Sequence, residues 1–339
     1  MTSSGMTTSG KTTSPILEVK DLTISFSTPY GIADAVSGSN FTIGAGERVG
    51  MVGESGSGKS LTGLALLGLS PKAARIAGEI LWDGRNLLAL PEREMRSIRG
   101  RHISMIFQEP MTALDPVFTV GQQISATFRA HHKVSRSEAK DRAIDLLAEV
   151  GIPEPRRRYS EYPHQLSGGM RQRAMIAMAL VCEPRLLVAD EPTTALDVTI
   201  QAQVLDLIAK LSEERGTAVL LITHDLGVVA ETCERVLTMY AGQLVEHAQV
   251  DDALEFPRHP YTSGLLAAIP RAGVAAEDLE SIPGRVPPIH EFPTGCRFAP
   301  RCPYREPACD RPQPLVEAGA GRWVRCWRHD QLELAGAVR

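Results

Sequence analysis

The stretch Gly53-Glu54-Ser55-Gly56-Ser57-Gly58-Lys59-Ser60 decides the fold, because it reads G-x-x-x-x-G-K-S, the pattern of a phosphate-binding loop. The apolar run at residues 48–52 precedes it as a buried strand would, and a helix-compatible stretch at residues 61–69 follows. The glycines let the backbone curl so that its N–H groups point at one phosphate, and the helix N-terminus adds partial positive charge. We expect Lys59 to reach the β- and γ-phosphates of a nucleotide and the Ser60 hydroxyl to ligate Mg²⁺.

Length and composition place this loop in a large globular protein. The chain has 339 residues, of which 43% are hydrophobic and 22% charged, so we expect one large domain with an appendage. No apolar run approaches the eighteen or so residues of a membrane span. Residues 1–14 are rich in Ser, Thr and Gly, which predicts a disordered tail and not a signal peptide. The net charge of −4 gives no indication of a nucleic-acid partner.

Two segments upstream of the loop predict strands. Residues 16–26 alternate between apolar and polar side chains, and residues 35–43 resemble a second strand. An aromatic side chain between them could stack on adenine, and Tyr30 is the first candidate, with Phe26 second. Packing in the core is an equal alternative for Tyr30 and the favoured one for Phe26.

Downstream, strands alternate with helices. A helix over residues 135–150 is predicted with Ser135 or Ser137 as its cap, and another over residues 198–215 between Asp197 and Gly216. The apolar runs at residues 185–190 and 218–223 are typical of strands buried in a parallel sheet. This order predicts α/β architecture with right-handed crossovers. Prolines become dense from about residue 250, so we predict domains at residues 15–250 and 251–339.

Six motifs in one order make residues 16–250 similar to the nucleotide-binding subunit of ATP-binding cassette transporters. They are the phosphate loop, Gln108, the signature Leu166-Ser167-Gly168-Gly169-Met170-Arg171-Gln172, the second Walker motif at residues 186–190 followed by Glu191, Ala195-Leu196-Asp197, and His224. The resemblance implies an α/β fold of the ABC-type P-loop NTPase domain: a mixed-sheet core, an antiparallel β subdomain, a helical signature subdomain and here a small Cys-rich C-terminal extension.

The resemblance assigns chemistry to these positions and predicts an ATP hydrolase that uses Mg²⁺. Asp190 would hold Mg²⁺ directly or through water, and Glu191 would polarise the attacking water as general base. His224 would contact the γ-phosphate, and Gln108 would bind Mg²⁺ or water and report the nucleotide state to a membrane partner. Each assignment has an alternative. The Asp190–Glu191 pair could be an ordinary helix cap, His224 a structural histidine, and Gln108 a solvated side chain.

The signature implies a shared site. Ser167, Gly168 and Gly169 open a helix and would bind the γ-phosphate of ATP held by an opposite subunit, near Asp197. Two ATP molecules would then lie between head-to-tail subunits, and the partner would be a second copy or a sister ATPase.

A narrower resemblance, to the peptide and nickel importer subfamily, rests on three segments. They are residues 107–116, His259-Pro260-Tyr261-Thr262, and the tail through residues 282–284, 295–298 and 301–302. It implies an oligopeptide or dipeptide importer ATPase at the cytoplasmic face of the membrane, with two permease subunits and an extracytoplasmic substrate-binding protein. Nickel, glutathione or another small solute remains an alternative substrate. A non-transport cassette ATPase is less favoured because the chain carries one cassette and an intact Glu191 and His224.

Four of the six cysteines form a cluster late in the sequence: Cys296, Cys302, Cys309 and Cys326. Four thiolates suit Zn²⁺ or an iron–sulfur cluster, and the spacing C-x5-C-x6-C-x16-C is wider than usual for zinc. The subfamily resemblance favours a [4Fe–4S] cluster, with zinc, disulfides or free thiols as alternatives. Cys182 and Cys233 are predicted to lie in or near the core.

Overall fold

The computed structural model describes residues 15–109, 113–193, 197–269 and 282–337. The predicted disordered tail lies outside the described residues, and so do Ala195 and Leu196 of the Ala-Leu-Asp motif.

Strands and helices alternate along most of the chain. The strands are β1 Leu17–Thr28, β2 Gly31–Ile43, β3 Arg48–Val52, β4 Ala74–Trp82, β5 Arg85–Asn86, β6 Ile103–Ile106, β7 Leu186–Asp190, β8 Ala218–Thr223, β9 Arg235–Tyr240, β10 Gln243–Gln249, β11 Val316–Glu317 and β12 Trp323–Val324. The helices are α1 Lys59–Leu66, α2 Glu92–Ile98, α3 Val120–His131, α4 Arg136–Glu149, α5 Pro155–Arg158, α6 Gly168–Leu180, α7 Val198–Arg215, α8 Leu226–Thr232, α9 Val250–Glu255 and α10 Pro260–Ala267. None of the helices in these described segments combines the length and the apolar composition needed to cross a bilayer.

The larger sheet has the order β11-β12-β10-β9-β3-β8-β7-β6. Strands β9, β3, β8, β7 and β6 pair in parallel, and β10 and the β11–β12 hairpin continue the sheet antiparallel. Strands β7 and β8 are buried along their whole length, as their continuous apolar runs predict. Because parallel strands end at one edge of the sheet, the residues that follow β3, β6, β7 and β8 meet there.

The smaller sheet is antiparallel and has the order β2-β1-β4-β5. Leu17, Leu22, Ile24, Val36 and Ile80 are fully buried in the core that it shares with the larger sheet. The apolar side chains of the alternating pattern in β1 therefore face this core, as predicted.

A helical layer packs around α3, α4 and α6. Their apolar faces bury side chains such as Ile124, Leu147 and Met175 in one cluster with the far face of the larger sheet. Helices α3 and α4 both begin with a capping box, in which the Thr119 or Ser135 hydroxyl accepts from the third backbone N–H of the helix. Ser135, and not Ser137, is thus the cap of α4. The sequence did not predict helices α2, α3, α5, α8, α9 and α10.

The C-terminal extension is integrated with the larger sheet. Strand β12 pairs with β10, and Tyr240, Tyr261 and Phe298 form an aromatic cluster that is almost completely buried. The buried Arg322 donates to Glu246, which is itself fully buried. Residues late in the chain therefore pack against the cassette, while a separate Cys-rich extension and its boundary near residue 250 stay predictions.

Gly121 of α3 packs directly against Tyr159, so a substitution at this position tests how closely the helical layer is packed. A Cβ atom at Gly121 of α3 would lie 2.1 Å from the Tyr159 ring. Alanine normally favours a helix over glycine, but we expect Gly121→Ala to destabilise the protein by about 1–3 kcal/mol because the ring has to move. Denaturant unfolding of this variant and of the exposed Arg129→Ala control measures the difference. A Gly121→Ala protein as stable as the parent would contradict this packing.

Candidate nucleotide-binding site

The phosphate loop spans the gap between the end of β3 and the start of α1. At Gly53 φ is +154°, and a Cβ there would lie 2.0 Å from the Met239 carbonyl oxygen. At Gly58 φ is +99°, in the region that favours glycine. The loop can therefore curl against β9 only because these positions carry no side chain.

Lys59 lies inside the curl and is 5% exposed. Its ammonium group donates to the carbonyl oxygens of Gly53, at 2.7 Å, and Glu54, at 3.1 Å. Burial lowers the pKa of Lys59, while the negative charges of Glu191, Asp190 and Glu54 act to raise it. A partly desolvated cation beside a ring of backbone N–H groups suits a polyphosphate.

Ser60 and Asp190 form the candidate Mg²⁺ site. The Ser60 hydroxyl donates to Oδ1 of Asp190 at 2.9 Å, which links the start of α1 to the end of β7. Burial raises the pKa of Asp190, and the hydrogen bond from Ser60 opposes this. A hydroxyl and a carboxylate are the oxygen ligands that Mg²⁺ prefers, so the donor set fits the ion.

Glu191 is held in an unusual backbone conformation directly after β7. Its φ of +43° lies in the left-handed region, which is strained for a residue with a side chain, and its N–H donates to the Ile222 carbonyl at 2.8 Å. Its carboxylate accepts from Gln108 Nε2 at 3.0 Å and lies 3.3 Å from His224 Nδ1. The structure thus brings together the three residues that the motif order predicted for hydrolysis.

A cavity of about 680 Å³ opens beside these groups. The loop residues Ser55, Gly56, Ser57, Gly58, Lys59 and Ser60 line it together with Ala35, Leu61, Gln108, Glu191, Arg285, Val286, Pro287, Pro288, Ile289 and Phe292. Its size and its mixture of polar and apolar walls suit a nucleotide.

Tyr30 is not among the residues that line this cavity. The Tyr30 ring stacks on the His290 ring, with centroids 4.5 Å apart and planes inclined by 17°. Tyr30 is 78% exposed. Phe26 packs against the core, as the alternative predicted. Stacking of Tyr30 on adenine stays a prediction. In this structure the Tyr30 ring stacks on His290.

The signature residues begin α6, away from the cavity lining. The Ser167 hydroxyl accepts from the Met170 N–H at 3.3 Å, and a Cβ at Gly168 would meet no atom of the described segments within 4 Å. Gln172 donates to the Pro192 carbonyl, which joins the signature helix to the loop after Glu191. Asp197 caps α7 by accepting from the Ile200 N–H at 3.0 Å. Within this one chain, none of these groups reaches the phosphate loop cavity.

Sequence reasoning missed the contribution of the C-terminal extension to this site. Arg301 pairs with Glu54 of the phosphate loop, the Tyr261 hydroxyl accepts from the Glu54 N–H, and residues 285–292 line part of the cavity. The proline-dense segment has no periodicity that could have revealed these contacts.

The four late cysteines border one small cavity of about 20 Å³, together with His259 and Trp327. None of these four cysteines forms a disulfide, and burial raises the pKa of Cys302 and Cys326 to about 11. Trp327 Nε1 donates to Cys309 Sγ at 3.4 Å. As placed, no group of three or more His, Cys, Asp or Glu side chains in the described ranges has the arrangement of a metal site. Cys182 is buried and Cys233 half-buried, as predicted.

Two family models match the chain. The model described as ABC transporter matches residues 36–194, and the model described as oligopeptide/dipeptide transporter, C-terminal region, matches residues 245–309.

Curated relatives match over nearly the whole length. A probable peptide ABC transporter ATP-binding protein of Sinorhizobium fredii is 52% identical over 94% of this chain and 96% of its own. The oligopeptide transport ATP-binding protein OppD of Salmonella typhimurium is 49% identical over 92% of this chain and 93% of its own.

Solved structures share the cassette fold. The ATP-binding cassette MJ0796, dimeric in a post-hydrolysis state with ADP and Pi, is 30% identical with a TM-score of 0.62 and covers 69% of this chain and 98% of its own. The cbiO1 protein of Clostridium perfringens, part of the ABC transporter complex cbiONQ, is 27% identical with a TM-score of 0.60 and covers 70% of this chain and 90% of its own.

Proposed function

This chain belongs to the ABC transporter family, and from that premise we propose that it is the ATP-binding and ATP-hydrolysing subunit of an importer for oligopeptides or dipeptides. The observation that carries the proposal is the convergence of Lys59, the Ser60–Asp190 pair and Glu191 at one edge of the parallel sheet. Each group meets a separate need of phosphoryl transfer.

Binding begins at the phosphate loop. Its backbone N–H groups and Lys59 receive the β- and γ-phosphates, and the phosphates replace the carbonyl oxygens that Lys59 contacts now. Ser60 and Asp190, with Gln108, would hold Mg²⁺, which would supply positive charge against the phosphates.

Hydrolysis then needs a water in line with the γ-phosphorus. Glu191 accepts a proton from this water as general base. The contacts of Gln108 and His224 with the two Glu191 carboxylate oxygens hold the carboxylate in place, and Gln108 also lines the cavity. The strained backbone of Glu191 supports a functional role, because such strain is usually retained where geometry matters for chemistry.

A second cassette completes each site. The open space at Gly168 and the exposed N-terminus of α6 support a signature that faces a partner's γ-phosphate. Asp197 caps α7, the next helix along the chain after α6. The partner is either a second copy or a sister ATPase, and the two cassettes pair head to tail.

The cassette dimer drives transport by acting on membrane subunits. Two permease subunits would carry the peptide, and an extracytoplasmic binding protein would deliver it, with this chain at the cytoplasmic face. Relatives named for peptide transport support peptides over nickel, glutathione or another solute.

For the C-terminal extension we propose a [4Fe–4S] cluster on Cys296, Cys302, Cys309 and Cys326, with zinc as the alternative. The shared cavity supports this assignment, because five to sixteen residues separate successive cysteines in the sequence and the fold nevertheless brings all four to one cavity. The raised pKa of Cys302 and Cys326 means that a bound metal would be needed to hold them as thiolates near neutral pH.

We expect Glu191→Gln to reduce ATP hydrolysis and peptide uptake by about 10²–10⁴-fold, the usual range for a general base, while leaving ATP affinity nearly unchanged. Lys59→Ala should instead weaken ATP binding itself, and the exposed Lys210→Ala serves as its control. The measurements are ATP turnover and uptake by the reconstituted importer together with equilibrium ATP binding. Turnover by Glu191→Gln at the parental rate would exclude its role as base.

We expect Gly168→Ala, Gly169→Ala and Ser167→Ala each to lower hydrolysis at least about tenfold, because the signature helix must approach the partner's γ-phosphate closely. Among the described residues, a Cβ at Gly168 meets no atom within 4 Å, so the thermal stability of Gly168→Ala should match that of the parent. Full-rate hydrolysis by isolated monomers would contradict the shared site.

Anaerobically purified protein should be brown and contain about four iron and four sulfide per chain. Cys302→Ser should lose the iron, whereas Cys182→Ser, which changes a cysteine outside the cluster, should retain it. One zinc without iron would replace the cluster by a zinc site, and absence of both metals would leave free thiols.

A further inference from the structure

One wall of the candidate nucleotide cavity comes from the C-terminal extension. We call residues 285–292 the wall segment; Arg285, Val286, Pro287, Pro288, Ile289 and Phe292 all line the cavity. The loop, Gln108 and Glu191 provide the polar part that suits phosphates. A nucleobase needs apolar or aromatic surface against its faces, and the wall segment provides most of the apolar lining.

Side chains outside the cavity contact the wall segment and join it to the cassette. The Arg297 guanidinium lies 4.7 Å from the centre of the Phe292 ring and donates to the carbonyl oxygens of Ala241 and Asp34. Two residues before Phe292, the His290 ring stacks on Tyr30. The C-terminal end of the wall segment therefore contacts the cassette at two places: through Arg297 at β2 and the β9–β10 turn, and through His290 at the β1–β2 turn.

The same extension also contacts the phosphate loop, through Glu54. Arg301 is 7% exposed and donates to both carboxylate oxygens of Glu54, at 2.9 and 3.0 Å. It also donates to the carbonyl oxygen of Pro283 at 2.7 Å, just before the wall segment. The Tyr261 hydroxyl accepts from the Glu54 N–H at 2.8 Å. Arg301 thus joins the loop to the start of the wall segment.

We propose that the C-terminal extension completes the ATP site: the wall segment receives the nucleoside end of ATP, and Arg301 and Tyr261 position the phosphate loop through Glu54. The proposal rests on the proposed function, since it requires the cavity to hold ATP. Phe292 is a binding residue in this scheme, whereas Arg301 and Tyr261 are positioning residues that act through the loop.

The two roles are separated by a ligand that has no nucleoside. The full-length chain is titrated with a non-hydrolysable ATP analogue and with inorganic triphosphate, both with Mg²⁺. Phe292→Ala should raise the Kd of the ATP analogue about tenfold, because apolar contact with the base is lost, and should leave the Kd of triphosphate within about twofold. Arg301→Met and Tyr261→Phe should raise both Kd values, the first by about tenfold, because the loop binds phosphate in either ligand.

Matched controls lie in comparable positions away from the cavity. Phe256→Ala removes an exposed aromatic ring, and Arg305→Met breaks the exposed pair with Asp310 in the same extension. Both should bind either ligand like the parent. Arg301→Lys should recover part of the affinity lost in Arg301→Met, which a general packing defect would not predict. Tyr261→Phe removes one hydroxyl and keeps the buried ring, so it tests the loop contact even if Arg301→Met fails to fold.

The outcomes separate this inference from the proposed function. A parent chain that binds neither ligand would overturn both. A parent chain that binds ATP, with Phe292→Ala, Arg301→Met and Tyr261→Phe all unchanged, would overturn the inference alone. An equal loss of both ligands in Phe292→Ala would also overturn it, because the wall segment would then support the fold and not the nucleoside.

Discussion

The buried ammonium group of Lys59 is the constraint on which the site depends. A cation that is 5% exposed is unfavourable unless dipoles or negative charges surround it. The loop supplies two carbonyl oxygens, and Asp190 and Glu191 supply negative charge from the end of β7. This requires β3 and β7 to end at the same edge of the sheet, which their parallel pairing through β8 ensures. The sheet order is therefore linked to the electrostatics of a single side chain.

The cassette was predictable because its signals are local. Helix α7 has the predicted bounds, since Asp197 and Gly216 mark its ends, and the buried strand β8 follows directly from its apolar run. The convergence of Gln108, Glu191 and His224 was also predictable, but from the resemblance to a known family and not from periodicity. Motif order carries information about three-dimensional proximity that composition lacks.

The contribution of the extension could not be predicted in the same way. The Arg301–Glu54 pair joins residues 247 positions apart, and no local pattern marks Arg301 among the many arginines of the extension. Likewise, the position of Tyr30 depends on His290, which lies in a segment without periodic structure. Both contacts are set by tertiary packing around the buried Tyr240, Tyr261 and Phe298 rings, each of which alone would read as an ordinary core residue.

The pairing of β12 with β10 has a consequence for synthesis of the chain. Strand β10 ends at Gln249, whereas its antiparallel partner residues Trp323 and Val324 are made much later. At ribosomal rates of about 5–20 residues per second, the backbone groups of β10 stay uncovered for several seconds after they emerge. An unpaired sheet edge is a template for strand addition by another chain. The nascent protein thus passes through an interval in which chaperone protection of this edge would favour correct folding over self-association.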